Sequence, residues 1–578
     1  MEKATTKDFF SYSRDIARDF LQSVMVLDDQ AHFLEYENPL DDPKPLTSPQ
    51  SKRKFTASEE SDKTIITPQS EAKSQSKNFA FDPEHQLDAK KVIDKFADNG
   101  IACAILRPSD KKEVNLSEKV KALSLKSDIL VFDWVLGKGD AEGKTVTKLI
   151  TDIVSEDLTK ESRLRLIAIY TGQSTLKDII KKLKTEIEQI NKKNFLNFEI
   201  ETPDDYTIKI QSIRICAFTK EGNKDKYLRH DNRVINNEDL PDRLITEFAE
   251  MTAGLVSNAA LKAFTVLRGE THRVLSRFNV KLDPAFLAHR AMLKEPNDAG
   301  KLLSMLIGSD LTALLEEWEV GKATDATEHF DALYGWLKLK EKDGINIRES
   351  FKNNNQIPNE EELISLIRHG LPSWSKAATY GISSTKPLKA KLTGKFSGTK
   401  EETVESKSAE SEFAVLTTFK PEFRLHPPTL LLGTVLKCKK EETYWVCIQA
   451  LCDCTRVVED RYFPLLPLVK VGDNDNFNFV LREDDNLNKV KVDFRPYSLR
   501  SEKFKPDVKH QVVYAGESPE KGKKKYTFKA EHDNIYEWIG ELRFAHAQRI
   551  ANQFAVQISR VGLDESEWQR LWSPDPNA

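Results

Sequence analysis

In the first part of the chain, near-continuous apolar runs alternate with amphipathic stretches. The runs are SVMVLDD from Ser23, IACAILRP from Ile101, DILVFDWVLG from Asp128, RLRLIAIYTG from Arg163 and IRICAFTK from Ile213. Between them lie segments such as LDAKKVIDKFADNG and GKTVTKLITDIVSED, whose apolar positions recur at helical spacing. A strand buried on both faces has no polar alternation to keep, so this pattern predicts a parallel sheet covered by helices on both sides. Such a sheet places its working site at the carboxyl ends of its strands.

Residues from about 37 to 77 interrupt the pattern with Pro, Ser, Lys and Glu. They carry too little apolar surface to offset the entropy of ordering, which predicts a disordered insertion. From about Asp239 to Phe278 the periodicity is helical: Pro241 suits a first helical position, and Leu244, Phe248, Met251 and Leu255 share a face. Helical character continues to about Ala378. A second polar stretch, Lys386 to Glu412, marks the main expected domain boundary. Beyond it, the short runs FAVLTTF, LLLGTVL, YWVCIQA, KVKVDF, HQVVYA and KKYTFKA predict a small, mostly antiparallel β domain. A last helix is expected from about Asn534 to Val561, stopped by Gly562. The expected fold class is therefore multidomain, α/β plus α and β. Its layout is an α/β domain over 1–222 with the insertion at about 37–77, a helical region over 223–380 and a flexible linker over 381–412. A β-rich domain over 413–533 and a C-terminal helical segment over 534–578 complete it.

A length of 578 residues agrees with several domains. With 87 Lys+Arg against 91 Asp+Glu, the net charge of −4 offers no chain-wide footprint for nucleic acid or an anionic membrane. No apolar run approaches the roughly 20 residues of a membrane span, and MEKATTKDFF has no signal-peptide pattern, so a cytoplasmic protein is expected. The six cysteines are too unevenly spread for a disulfide framework. Cys447, Cys452 and Cys454 lack the paired spacing of a structural zinc site.

Polar residues end four of the predicted strands: Asp28 and Asp29 the first, Asp133 the third, Thr171 the fourth and Lys220 the fifth. Clustered carboxylates repel one another without a cation, and magnesium takes hard oxygen ligands including one or two carboxylates. A carboxylate such as Asp133 is a competent phosphoryl acceptor when a cation and a lysine neutralise the transferring oxygens.

With VMVLDD, ILVFDWVLG, LIAIYTG and CAFTK in this order, the segment from Ser23 to Lys220 resembles the receiver domain of two-component response regulators, a flavodoxin-like parallel sheet. The resemblance implies that Asp133 takes a phosphoryl group from a sensor histidine kinase. It also implies that Asp29, Asp133 and the carbonyl oxygen of Val135 contact Mg2+, and that Asp28 acts through water. Thr171 would be the switch hydroxyl and Lys220 the ion-pair partner of the phosphoryl group. The chain departs from the family pattern at Glu221, where proline is usual, and at Ala217, where an aromatic switch residue is usual. The interval from Thr171 to Lys220 leaves room for an additional strand in NFEIETPDDYTIKIQSI, with Lys209 as the alternative lysine.

Downstream no kinase, hydrolase, metalloprotease or helix-turn-helix signature occurs, so no separate catalytic domain is expected. His272 and His546 are expected to be structural. The divergent receiver and effector-poor tail also resemble the receiver proteins of Detocs-type antiphage systems. That likeness implies a second receiver protein, carrying an effector, as a further partner. Two functional classes follow: a phosphoacceptor intermediary or sink, and a phosphorylation-independent scaffold.

Overall fold

The computed structural model describes residues 8–32, 86–108, 115–137, 140, 142–159, 163–194, 198–221, 231–293, 296, 298–325, 330–382, 391–421, 426–472, 475–484, 486–520 and 523–559. The insertion expected at 37–77 lies outside these residues. Two compact units are present, one from Phe10 to Thr265 and one comprising Met1–Phe9 with Val266–Ala578.

The first unit contains β1 (Ser23–Leu27), β2 (Ala102–Leu106), β3 (Ile129–Phe132), β4 (Arg165–Thr171), β5 (Glu201–Asp204), β6 (Thr207–Ile210), β7 (Ile213–Lys220) and β8 (Val234–Ile235). The sheet order is β2-β1-β3-β4-β7-β6-β5, with β8 also paired to β7. Strands β2 to β7 in this path are parallel up to β7, and the hairpin β5–β6 adds antiparallel to it. The room for an extra strand is thus filled by two.

Alternate residues divide the core into two layers. Val24, Val26, Ile129, Val131, Ala168 and Phe218 enter the first; Met25, Leu27, Leu130, Phe132, Ile169 and Ala217 enter the second. Helices α1 (Phe9–Phe20), α2 (Ala89–Asp98) and α6 (Leu240–Thr252) supply the first layer, and α3 (Leu116–Ser124), α4 (Lys144–Thr159) and α5 (Leu176–Asn194) the second. Beyond residue 222, where the domain boundary was expected, α6 also packs on this sheet: it buries Leu244, Ile245 and Phe248 there and stacks Phe248 on Phe20 with ring centroids 5.8 Å apart. Removing α6 would uncover that layer. The single helix expected from Asp239 is broken at Ala253, whose backbone is extended, and α7 (Leu255–Arg277) begins anew.

Buried ion pairs tie these elements together. Glu247 of α6, 1% exposed, accepts from Arg214 of β7 at 2.6 Å and from Arg243 at 2.7 Å, and Arg233 lies 3.7 Å away. Arg233 also reaches Asp204 of β5 at 2.6 Å, so the added hairpin is anchored through the same cluster.

In the second unit, α8 (Asp283–Met292), α9 (Asp298–Glu317), α10 (Ala332–Lys342), α11 (Ile347–Ser350), α12 (Glu360–His369), α13 (Lys391–Phe396) and α14 (Val404–Thr418) precede an antiparallel sheet. A small core of Leu337, Phe351, Leu363, Trp374 and Ile382 holds α10 to α12. Where a flexible linker was expected over 381–412, Ile382 is buried in this core, α13 packs Phe396 edge-on against Phe351 at 5.3 Å, and Thr403 with Ser406 forms a capping box for α14. A few anchors in a polar stretch suffice for this; average composition hides them. FAVLTTF likewise ends α14 instead of forming a strand.

The sheet runs β12 (Phe479–Glu483), β13 (Asn486–Val492), β11 (Arg461–Lys470), β10 (Thr443–Cys447), β9 (Thr434–Cys438), β17 (Ile535–Glu541), β16 (Lys523–Lys529), β15 (Gly516–Glu520), with β14 (Arg500–Phe504) on β11. A bridge between Phe504 and Ala530 brings β14 to the end of β16, curling the sheet around Phe463, Phe504, Phe528 and Tyr536. Helix α15 (Phe544–Ile558) covers the other face through Ala547, Ile550 and Phe554. The helix expected from Asn534 therefore starts ten residues later. IYEWIGE alternates as β17, paired to β9 and β16, and this pairing overrides the apparent helical spacing.

Removing Glu247 leaves Arg214 and Arg233 buried without their shared counter-charge. Glu247→Ala is expected to cost about 3–5 kcal/mol of stability. Urea unfolding followed by circular dichroism checks this, and a loss below about 1 kcal/mol, the range of an exposed pair, contradicts the assignment.

Candidate functional site

The parallel ladder fixes the first residues beyond the strands. Asp28 N–H donates to the Leu106 carbonyl at 3.1 Å and Asp133 N–H to the Leu27 carbonyl at 2.9 Å, so both carboxylates emerge from the same edge of the sheet. Lys220, the last residue of β7, reaches across β4 to them. Its Nζ donates to Asp28 Oδ2 at 2.6 Å and to Asp133 Oδ2 at 2.7 Å. All three side chains are at most 3% exposed.

Asp29 stands beside this pair. Its Oδ2 accepts the Gly137 N–H at 2.8 Å, and its Oδ1 is buried with no hydrogen-bond partner among the described residues. Asp28, Asp29 and Asp133 each offer an oxygen within 4.8 Å of the others. Three carboxyl groups thus stand against one ammonium, with Asp28, Asp133 and Lys220 buried and Asp29 half-buried. An oxygen-only donor set with an orphaned acceptor and excess negative charge fits a hard divalent cation.

Burial pushes the Asp28 carboxyl up to about 6; Lys220 opposes that rise and the neighbouring Asp133 charge adds to it. Burial likewise raises Asp29, against the pull of the Gly137 N–H. For Lys220, burial disfavours the charge, yet Asp28 and Asp133 outweigh it and the ammonium is held above its ordinary range. The lysine is charged because the acids are there.

The loop after β3 is tightly placed. Val135, half-buried, directs its N–H to Asp133 Oδ1 at 3.5 Å, and Gly137 adopts φ +84°, left-handed backbone that glycine tolerates. Trp134 is buried against Gly143, where a Cβ would come within 2.2 Å of the indole, and Lys182 lies over the ring at 5.9 Å. Thr171, fully buried at the end of β4, pairs in register with Thr219; its Oγ1 accepts the Gln173 N–H at 3.4 Å and is outside the Asp–Lys hydrogen bonds. Lys209 is elsewhere, on β6, paired with Glu201 at 3.0 Å.

Two contributors escaped the sequence reading. Gly137 holds Asp29 through its backbone, which no side-chain motif reveals. Tyr170 lies with its ring 5.8 Å from Lys220 Nζ, and its hydroxyl donates to the Ile235 carbonyl at 2.9 Å. Its place one residue before Thr171, on the opposite face of β4, was the available signal. Ala217 and Phe218 are both fully buried, and the Arg233 and Arg243 guanidiniums cover Phe218 at 5.4 and 5.2 Å. Among the histidines, His272 is exposed on α7, and His546 is half-buried at the edge of the packed face of α15, with Arg549 at 3.0 Å.

No curated protein and no solved structure matches the chain. Among the described residues, no helix is long and apolar enough to cross a membrane. A family model does match, over residues 20–225, and it spans every strand that positions the acids and Lys220. The N-terminal part of this chain is a response receiver domain.

Proposed function

We propose that Asp133 accepts a phosphoryl group from a sensor histidine kinase and that the chain acts as an intermediary or phosphate sink of a two-component-like pathway. The observation that carries this reading is the Lys220 ammonium, shared between Asp28 and Asp133 and almost wholly buried. With Asp133 Oδ2 held by Lys220, Oδ1 has only the 3.5 Å approach of the Val135 N–H and is the oxygen that attacks phosphorus. The phosphorus–nitrogen bond of the donor breaks, an acyl phosphate forms, and the donor imidazole leaves with the electron pair. Lys220 then faces the new phosphate charge, and Thr171 supplies a hydroxyl from the adjoining strand end.

Mg2+, held by Asp28, Asp29 and Asp133, would supply neutralisation of the transferring oxygens. The Val135 carbonyl is the backbone ligand implied by the receiver likeness. No separate catalytic domain takes part in this reading; the reaction is the receiver's own, in the cytoplasm. The likeness to Detocs-type receiver proteins extends it to antiphage defence, with a second, effector-carrying receiver competing for the kinase's phosphate.

Titrating Mg2+ while following Trp134 fluorescence should reveal saturable binding. Asp29→Ala is expected to weaken it by more than the roughly 10–100-fold typical of losing an outer partner of a metal ligand. Parent-like affinity in Asp29→Ala rules out the carboxylate site.

Phosphotransfer from the cognate kinase separates the roles. Asp133→Asn should accept no phosphate and leave more for the kinase's other partner, while Thr171→Ala should be phosphorylated but lose the phosphorylation-dependent change in Trp134 emission. Normal phosphorylation of Asp133→Asn, or an unchanged signal in the other partner, leaves the scaffold reading instead.

A further inference from the structure

A lysine stem is flexible, so hydrogen bonds to two acids do not by themselves fix where its ammonium sits. Lys220 has a further contact. Its side chain runs from β7 across β4 to Asp28 and Asp133, and the ring centroid of Tyr170 on β4 lies 5.8 Å from Nζ. Tyr170 is 1% exposed and enters the same apolar layer as Phe218, its neighbour in register. Packing in that layer is met by a ring alone. The hydroxyl is a polar group that burial penalises unless it is bonded, and its bond is specific: it donates to the Ile235 carbonyl at 2.9 Å, with Asn237 Oδ1 at 3.1 Å. The same carbonyl accepts the Glu221 N–H at 3.2 Å, and Ile235 is paired in register with Lys220. One oxygen therefore holds both the ring beside the ammonium and the main chain next to the lysine. The departure at Glu221 belongs to this arrangement, because proline has no N–H to give. Burial, then the charges of Asp28, Glu221 and Asp133, push the Tyr170 hydroxyl above its ordinary range, so it stays a donor.

We propose that Tyr170 is a positioning residue of the acceptor site: moored by its hydroxyl to Ile235, its ring fixes the Lys220 ammonium where it meets the charge of the transferring oxygens. The proposal rests on the acceptor reading of Asp133. A buried cation against an aromatic face gains electrostatic energy that falls away when the ring shifts or is lost. Lys220 offers no oxygen to a cation, so loss of the ring should slow acceptance of the phosphoryl group while Asp28, Asp29 and Asp133 go on binding Mg2+ as before. A residue that only fills the core would instead lower stability and leave the rate of the folded protein unchanged.

Phosphorylation of the full chain by phosphoramidate tests this role. The phosphorus–nitrogen bond of the donor breaks, an acyl phosphate forms on Asp133 and ammonia leaves with the electron pair, so intact mass followed over time gives the rate. At saturating donor and Mg2+, Tyr170→Phe, which keeps the ring and loses the mooring, is expected to accept phosphate about 5-fold more slowly than the parent, and Tyr170→Leu about 20-fold or more. Mg2+ half-saturation, read from Trp134 fluorescence, should stay within about 2-fold of the parent in both, since all three carboxylates remain. Phe248→Leu, a loss in the same buried layer, should keep the parent rate. Where Tyr170→Leu loses the parent's circular dichroism, Tyr170→Phe decides alone. Parent-like rates in the folded Tyr170 variants, an equal slowing in Phe248→Leu, or a Mg2+ affinity that falls in step with the rate each overturn the proposal. A parent that takes no phosphate from phosphoramidate or from the kinase overturns the acceptor reading and this role with it, whereas a phosphorylated parent beside unaffected Tyr170 variants overturns this role alone.

Discussion

The Lys220 ammonium is the interaction around which the receiver unit is arranged. A lysine side chain 2% exposed is tolerated only beside opposite charge, and here two carboxylates from β1 and β3 meet a lysine from β7. For that meeting to occur, the strand ends must coincide within a few tenths of an ångström. Parallel pairing at fixed register supplies the coincidence, and the two apolar layers hold the register, since a one-residue slip would exchange the layers. Charge in the site and apolar packing below it are one constraint.

This constraint explains what could be read from the chain alone. Each site residue directly follows or ends an apolar run, so Asp28, Asp133 and Lys220 could be located without knowledge of the sheet, and the structure brings these three together by hydrogen bonds. What remained hidden depended on nonlocal pairing. IYEWIGE satisfies both helical and strand spacing, and only its partners β9 and β16 decide between them. The polar stretch after Ile382 conceals two short helices because Phe396 and a Thr403–Ser406 cap are too sparse to alter its average character. Gly137 contributes an N–H, a group every non-proline residue possesses, so no residue type could single it out.

The hairpin β5–β6 alters the setting of Lys220 as well. By pairing along β7 it converts that strand from an edge into an interior strand, and Arg233 links the hairpin's Asp204 to the cluster around Glu247. Three guanidiniums and three carboxylates, from Arg214, Arg233, Arg243, Asp204, Glu247 and Glu250, bind hairpin, β7 and α6 together. Phe218 lies under two of those guanidiniums, on the same face of β7 as Lys220. An aromatic side chain covered in this way is held in place by cations on both β8's flank and α6.

The site is connected to α6 through the described contacts. Lys220 is held above the Tyr170 ring, Tyr170 donates to the Ile235 carbonyl, and Ile235 is paired in turn with Lys220 across β7 and β8. The circuit closes at Ile235, five residues before α6 begins at Leu240, and α6 carries Glu247. On the proposed acceptor chemistry, a phosphoryl group adds roughly one and a half to two negative charges beside Lys220. The ammonium then divides its attraction between that charge and Asp28, and any shift of its position changes its distance to the Tyr170 ring and the strain on the Ile235 pairing. Ile235 and Leu240 are both buried in the same layer as Tyr170, so β8 and the start of α6 are packed directly against this circuit. The burial that holds Lys220 charged between two acids thus also ties the site, through Tyr170 and Ile235, to the strand that leads into α6.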